Sequence, residues 1–360
     1  MQYAPPSPRA ARGPRARYRK PLKKDAPAVH AVPAETPTPY RTSAGDRGDP
    51  GSAIPPVSGA GRNPTPRGMT SRSMTLAGDV VDPGRMDAAT ESGWRDLLLA
   101  QPNPVAFLGP TFSRAVARTK GLARVCILRS SGRAVGYFAF QYPTSMKRGL
   151  AAAERIGGEM ADYAGLVAEP GLAVTPADLL RLAGLQVFTF SHLAQSQQDF
   201  GLTGEDPRVG LRIEFPEGPA EYWKQRRKLD ASLVRDTERR RRKLEQDVGP
   251  IRFEFQAGDR AAALEHLVAA KRAQYARTGA EDALTQDWQQ SLLRALSTTD
   301  QPDCTGVLST LHAGDKWVAF HFGLRCADTL HYWFPVYNPE LSKFSPGRLL
   351  LLETINASQS

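Results

Sequence analysis

Cysteine is scarce. The 360 residues contain three, Cys126, Cys304 and Cys326. Three scattered thiols cannot build a disulfide framework or a zinc knuckle, so no metal site is expected, and they fit the reduced thiols of a cytosolic protein. Long apolar runs are missing as well. Nothing approaches the ~18 to 20 consecutive apolar residues of a membrane helix, and the opening MQYAPPSPRAARGPRARYRK has no apolar segment behind its charges. A spanning protein is thereby excluded, and a secretory leader is not expected. Large apolar side chains are nearly absent from the first sixty-odd residues, where 14 of the 29 prolines precede residue 68. That stretch cannot bury a core, and residues 1–85 are expected to form a disordered Pro/Arg-rich tail.

The formal charge of +10 is unevenly placed. Residues 1–90 hold 14 Lys+Arg against 7 Asp+Glu, which is +7, leaving 10 − 7 = +3 for the remaining 270 residues. The part that can fold is close to neutral. The eight basic residues between Arg9 and Lys24 could contact nucleic acid or an anionic surface through counterion release. With Tyr18 the single aromatic in the run to stack on a base, a featureless leader is the favoured reading.

Beyond the tail, helices and strands alternate. Asp87 caps a helix running through Trp94 and Leu97–Leu99 until Pro102, and a short helix follows around Phe112–Thr119. Runs 124–129 and 134–140 are rich in β-branched and aromatic residues and flank Gly132, the pattern of a hairpin. Thr175, Pro176 and Asp178 open a helix that leads to a strand over Leu185–Phe190. A strand at Ile251–Phe255, helices at Arg260–Thr278 and Thr285–Leu296, and a second hairpin around Gly314 repeat the arrangement, with Gly132 and Gly314 182 positions apart. The fold class is mixed α/β (α+β), with two similar units in tandem.

Tyr222–Gln246 carries ten Lys+Arg, including Arg239–Lys243, and no Pro or Gly. It reads as one long solvated helix linking the units. Five acidic residues from Glu221 to Glu245 dilute its charge, so a nucleic-acid contact is the lesser reading.

The most informative stretch is the end. An aromatic strand over Leu330–Tyr337 leads through a polar loop to Ser345-Pro346-Gly347-Arg348-Leu349. Serine at the N-cap and proline at the first position start a helix. The amides of its first turn, its dipole and the Arg348 guanidinium suit a pyrophosphate, and Gly347 removes the Cβ that would obstruct an anion.

These residues resemble a known family. GWRDLLLAQPNPVAFLGPTF at 93–112, DYAGLV at 162–167, RRRRKLEQDVGPIRFEF at 239–255 and WVAFHFGLRCADTLHYWFPVYNPELSKFSPGRLLLLETI at 317–355 look like acetyltransferases of the cellulose-biosynthesis (CelD-type) group. That group is part of the GNAT superfamily and is related to the Fem peptidyltransferases. The resemblance covers about 265 residues and implies two GNAT-like units, at 86–220 and 248–360, joined by the basic helix 221–247. It implies acyl transfer from acetyl-CoA, held by Tyr332–Glu353, to an amine or hydroxyl of a sugar or cell-envelope (exopolysaccharide) precursor. Members continue past this helix with further strands, so the second unit is expected to be incomplete. The alternatives are a noncatalytic remnant or a nucleic-acid-associated protein acting through the basic tail and helix.

The implied mechanism is direct attack on the thioester, with a base taking the acceptor's proton. His321 and His331 on paired strands are candidate bases, and Tyr332 or Tyr337 a candidate acid toward the thiolate. Asp162 and Tyr163 are candidates for binding the acceptor. Cys126 and Cys326 lie in or beside apolar strands, which argues against a nucleophilic thiol.

Overall fold

The computed structural model describes residues 75–204 and 210–358. Of the tail expected over 1–85, residues 1–74, with the basic run, lie outside the described residues. The fold begins earlier than expected, because Leu76–Val81 form a strand (β1) rather than the end of the tail. Asp87 caps α1 (Ala88–Leu99), its carboxylate accepting from the Thr90 amide at 2.8 Å. Then come α2 (Pro110–Lys120) and the expected hairpin of β2 (Ala123–Ser130) and β3 (Arg133–Gln141). Its two-residue turn, Ser131-Gly132, has positive φ at both positions (49° and 83°), the turn whose twist matches paired strands. There follow α3 (Ser145–Gly149), β4 (Ala152–Arg155), β5 (Leu166–Ala168), α4 (Pro176–Ala183) and β6 (Val187–Thr189). Thr175 and Asp178 form the capping box of α4.

The expected single helix over 222–246 is two helices, α5 (Gly218–Leu229) and α6 (Ala231–Asp247). Asp230 breaks the run: its backbone leaves the helical region (φ −148°, ψ 78°) and its carboxylate caps α6 through the Leu233 amide at 2.9 Å. Helix propensity was high throughout, but an Asp-x-x-Leu step favours a fresh start. Then come β7 (Ile251–Glu254), α7 (Arg260–Thr278), α8 (Asp287–Ser297), β8 (Asp300–Gln301), β9 (Cys304–Ala313), β10 (Lys316–Cys326), β11 (Thr329–Tyr337) and α9 (Pro346–Ala357). The cap of α8 is Gln286, paired with Gln289, rather than the expected Thr285.

Two sheets result, the first mixed through the parallel pair β4–β6 and the second antiparallel throughout. The first runs β1-β2-β3-β4-β6, with β5 also on β3, and the second β11-β10-β9-β7, with β8 on β9. In the first, β3 pairs β5 through Gly136–Phe138 and β4 through Phe140 and Gln141, so its partners fork along its length. One apolar cluster joins residues from both sheets and the helices α1, α2, α7 and α8. It holds Trp94, Phe107, Phe112 and Ile127 together with Leu267, Leu292, Phe322 and Phe334. Each such side chain contributes about 1.5–3 kcal/mol by leaving water. The outer face of the first sheet is covered by α4, through Leu179 and Leu182. The outer face of the second is covered by α6 and α9, where Leu244, Leu349 and Leu350 pack on Leu311, Val318 and Phe344.

Candidate active site

Two strands of the second sheet carry three of the singled-out residues, and an irregularity between them decides where each points. β10 and β11 pair from Ala319↔Tyr337 to Phe322↔Phe334 and resume at Leu324↔His331. Gly323 therefore faces two residues, Tyr332 and Trp333, which is a β-bulge. Glycine is required there: a Cβ would stand 2.4 Å from the His331 carbonyl oxygen and 2.6 Å from His321 Nε2. Trp333 and Phe334, although consecutive, both reach the core shared by the sheets.

On that side His331 meets the first sheet. Its Nε2 lies 2.7 Å from Asp162 Oδ2, across 169 positions of sequence. Asp162 follows the short turn Gly158–Met160 that precedes β5. The imidazole stands edge-on to Phe107 (centroids 4.9 Å, 89°) and to Tyr163 (5.7 Å, 78°), while Phe107 also meets Trp333 at 5.2 Å. The structure thus brings His331, Asp162 and Tyr163 together. A carboxylate only accepts, so Nε2 carries the proton of this bond. Nearby on β11, the Pro335 carbonyl accepts from Lys271 Nζ at 2.9 Å, and burial lowers the pKa of that ammonium group.

His321 and Tyr332 lie on the opposite face, toward α9. Their rings stack at 3.9 Å and 8°. Neither imidazole nitrogen, nor the Tyr332 hydroxyl, has a hydrogen-bond partner among the described residues. Full burial pushes the His321 pKa down to about 3, with a smaller effect from His331, and burial raises that of Tyr332. His321 is therefore a neutral ring without contact to solvent, on the face of the sheet opposite His331.

The third group is the start of α9. Ser345 is its N-cap in a left-handed conformation (φ 56°), but its hydroxyl makes no capping bond. The Ser345 carbonyl accepts instead from the Arg348 and Leu349 amides, at 3.0 and 3.1 Å. Because Pro346 has no N–H, Gly347 is the first-turn position whose amide is left, and the space beside its α-carbon is open. Leu349 is buried core. Arg348 is not free: its Nη2 lies 2.8 Å from Asp236 Oδ2 on α6, a carboxylate that also receives Arg239 and Arg240. Those hydrogen bonds, the Arg240 bond first, hold Asp236 ionised, with its pKa well below the ordinary carboxylate range. Arg240 donates in addition to the Lys343 carbonyl in the loop before α9. Three guanidiniums around one carboxylate leave this corner net positive.

Asp236, Arg239 and Arg240 were missed as site residues. Their signal was the arginine run itself, read as a solvated face because no local feature shows which side of α6 meets another helix. The three cysteines are buried, and burial pushes each thiol up to about 12, so none is a thiolate nucleophile.

Residues 231–359 match the family model described as acetyltransferase (GNAT) domain. The match runs from α6 through α9 and so contains the β10–β11 bulge, His331 and the Asp236–Arg348 pair, while Asp162 and α5 lie outside it. This segment is similar to a GNAT-type acetyltransferase domain, and the fold that holds it is mixed α/β. No curated protein matches the chain. Among the described residues no helix is long and apolar enough to cross a membrane.

Proposed function

We propose that the protein transfers the acetyl group of acetyl-CoA to an amine or hydroxyl of a sugar or cell-envelope precursor, as the resemblance to CelD-type and Fem-like transferases implies. The observation that carries this reading is the His331–Asp162 pair, which sets a basic nitrogen on the strand that leads into the positive corner at Ser345–Leu349. The pyrophosphate of acetyl-CoA sits at the Gly347 amide, between Arg348 and Arg240. The acceptor enters beside Tyr163, and His331 Nδ1 takes its proton as it attacks the thioester carbonyl. The C–S bond then breaks and CoA leaves as the thiolate. Asp162 fixes the tautomer and steadies the imidazolium, so His331 is the catalytic residue and Asp162 its positioning residue. His321 and Tyr332 support the bulge from behind.

Titration of the full chain with acetyl-CoA tests this. Binding in the micromolar range, weakened at least about tenfold by Arg348→Gln in a variant of unchanged melting temperature, supports it. Absence of binding, with salt-sensitive DNA binding lost on deleting residues 1–68, would support the nucleic-acid reading instead.

A further inference from the structure

Beside the start of α9 lies a groove that this reading does not use. Its walls are Tyr222, Trp223 and Arg226 of α5, Leu233, Val234 and Thr237 of α6, and Arg348, Leu351, Leu352 and Ile355 of α9. Its volume is about 180 Å³. A dry cavity of about 150 Å³ holds a benzene ring, so this one has room for a flat aromatic heterocycle. The lining is apolar except at the mouth, where two guanidiniums stand.

Those guanidiniums differ. Arg348 is held by the carboxylate of Asp236, whereas Arg226 is half-buried and has no carboxylate within ion-pair distance among the described residues, feeling only the more distant charge of Asp230. An arginine kept at an apolar rim with no carboxylate in contact is complementary to an anion, and its fork matches a phosphate. The aromatic wall is also held in place: Trp223 Nε1 donates to Asn356 Oδ1 at 2.7 Å, fixing the indole against α9. From Arg348 to Ile355 the groove follows α9 for about 10 Å, starting where the diphosphate is proposed to bind.

We infer that this groove receives the adenosine 3′-phosphate end of the donor, with the adenine against Trp223 and the 3′-phosphate on Arg226. The inference rests on the donor reading above and extends it to α5, outside the segment matched to the acetyltransferase domain. Adenine offers a π face to the indole and an apolar edge to Leu233 and Leu352, and the 3′-phosphate supplies the charge that Arg226 lacks. The groove thereby selects the 3′-phosphorylated nucleotide over its dephosphorylated form.

The test is calorimetric and fluorescence titration of the full chain with CoA, 3′-dephospho-CoA and adenosine 3′,5′-bisphosphate. CoA is expected to bind about tenfold more tightly than 3′-dephospho-CoA. Arg226→Ala should bring that ratio to about one while leaving 3′-dephospho-CoA affinity unchanged. Adenosine 3′,5′-bisphosphate should alter tryptophan emission, and Trp223→Phe should remove the change. Leu233→Glu, a half-exposed position on the rim, repeats the test with added repulsion in case Arg226→Ala melts early. Equal binding of CoA and 3′-dephospho-CoA, or a ratio unmoved by Arg226→Ala and Leu233→Glu, overturns the inference and leaves the donor reading standing. Bisphosphate binding that needs Arg226, with no binding of CoA, keeps the groove and removes the donor reading. Binding of neither removes both.

Discussion

Arg95 on α1 and Asp303, beside the first residue of β9, are 208 positions apart in sequence and meet at 2.7 Å. Asp303 is fully buried, and it also accepts from the Thr111 amide at 3.0 Å and hydroxyl at 2.8 Å. Three donors from α1 and α2 therefore converge on one carboxylate at the start of β9. Removing it would strand a buried guanidinium edge and a helix-start amide. Asp303→Ala is expected to lower unfolding free energy by about 3–5 kcal/mol in urea titration. A loss below 1 kcal/mol would show that this contact does not hold the sheets together.

Glycines 323 and 347 give opposite expectations. Gly323→Ala places a methyl against the His331 carbonyl and the His321 ring, and should cost about 1–3 kcal/mol by overpacking. Gly347→Ala meets open space and should leave the melting temperature within a degree or two, while weakening acetyl-CoA binding if the diphosphate approaches there. Thermal melts of both variants and a titration of the second decide the matter.

His331→Gln and Asp162→Asn separate chemistry from stability. The pair is partly exposed, 26% and 39% for the two side chains, so its coupling in a double-mutant cycle of unfolding should stay under about 1 kcal/mol. Acetyl transfer, once an acceptor is in hand, should fall roughly a hundredfold in either variant. Similar small losses in both measurements would reduce the pair to a structural contact.

Acid should destabilise the fold through a buried neutral imidazole. His321, fully buried, is held at about 3 against an ordinary value of 6.5. Below pH 6.5 the unfolded chain binds protons that the folded chain refuses. Stability is therefore full above that pH and declines as it falls, by up to about 1.4 kcal/mol per unit for this group. His321→Phe keeps a ring on Tyr332 and should flatten the decline between pH 6 and 4. An unchanged slope would assign it to other groups.

Thiol titration offers a simple check on burial. Cys126, Cys304 and Cys326 should resist a disulfide reagent in the native protein and react together once it is unfolded.

Capped elements were legible in the sequence. Asp87 with Thr90 and Thr175 with Asp178 announced α1 and α4 because a cap is a contact within one turn. The strand β1 was not, since Leu-Ala-Gly-Asp-Val-Val lacks alternation and is ordered only by its register on β2, where Gly78 lies opposite Leu128. Gly78 carries the reason: a Cβ there would stand 2.3 Å from the Leu182 carbonyl oxygen of α4, a tertiary contact that no local pattern encodes. The site divides the same way. Ser345 and Pro346 marked the start of α9, yet the partner of Arg348 sits 112 positions upstream on a helix whose charges look uniform from sequence. His331 and Asp162 could be named one by one, but their meeting depends on how the two sheets share a core.

The pinned carboxylate of Asp303 bears on how the two sheets can move. Any rigid-body swing of one away from the other would drag that anion out of its donors, so motion that parts the sheets has to break a buried ionic contact first.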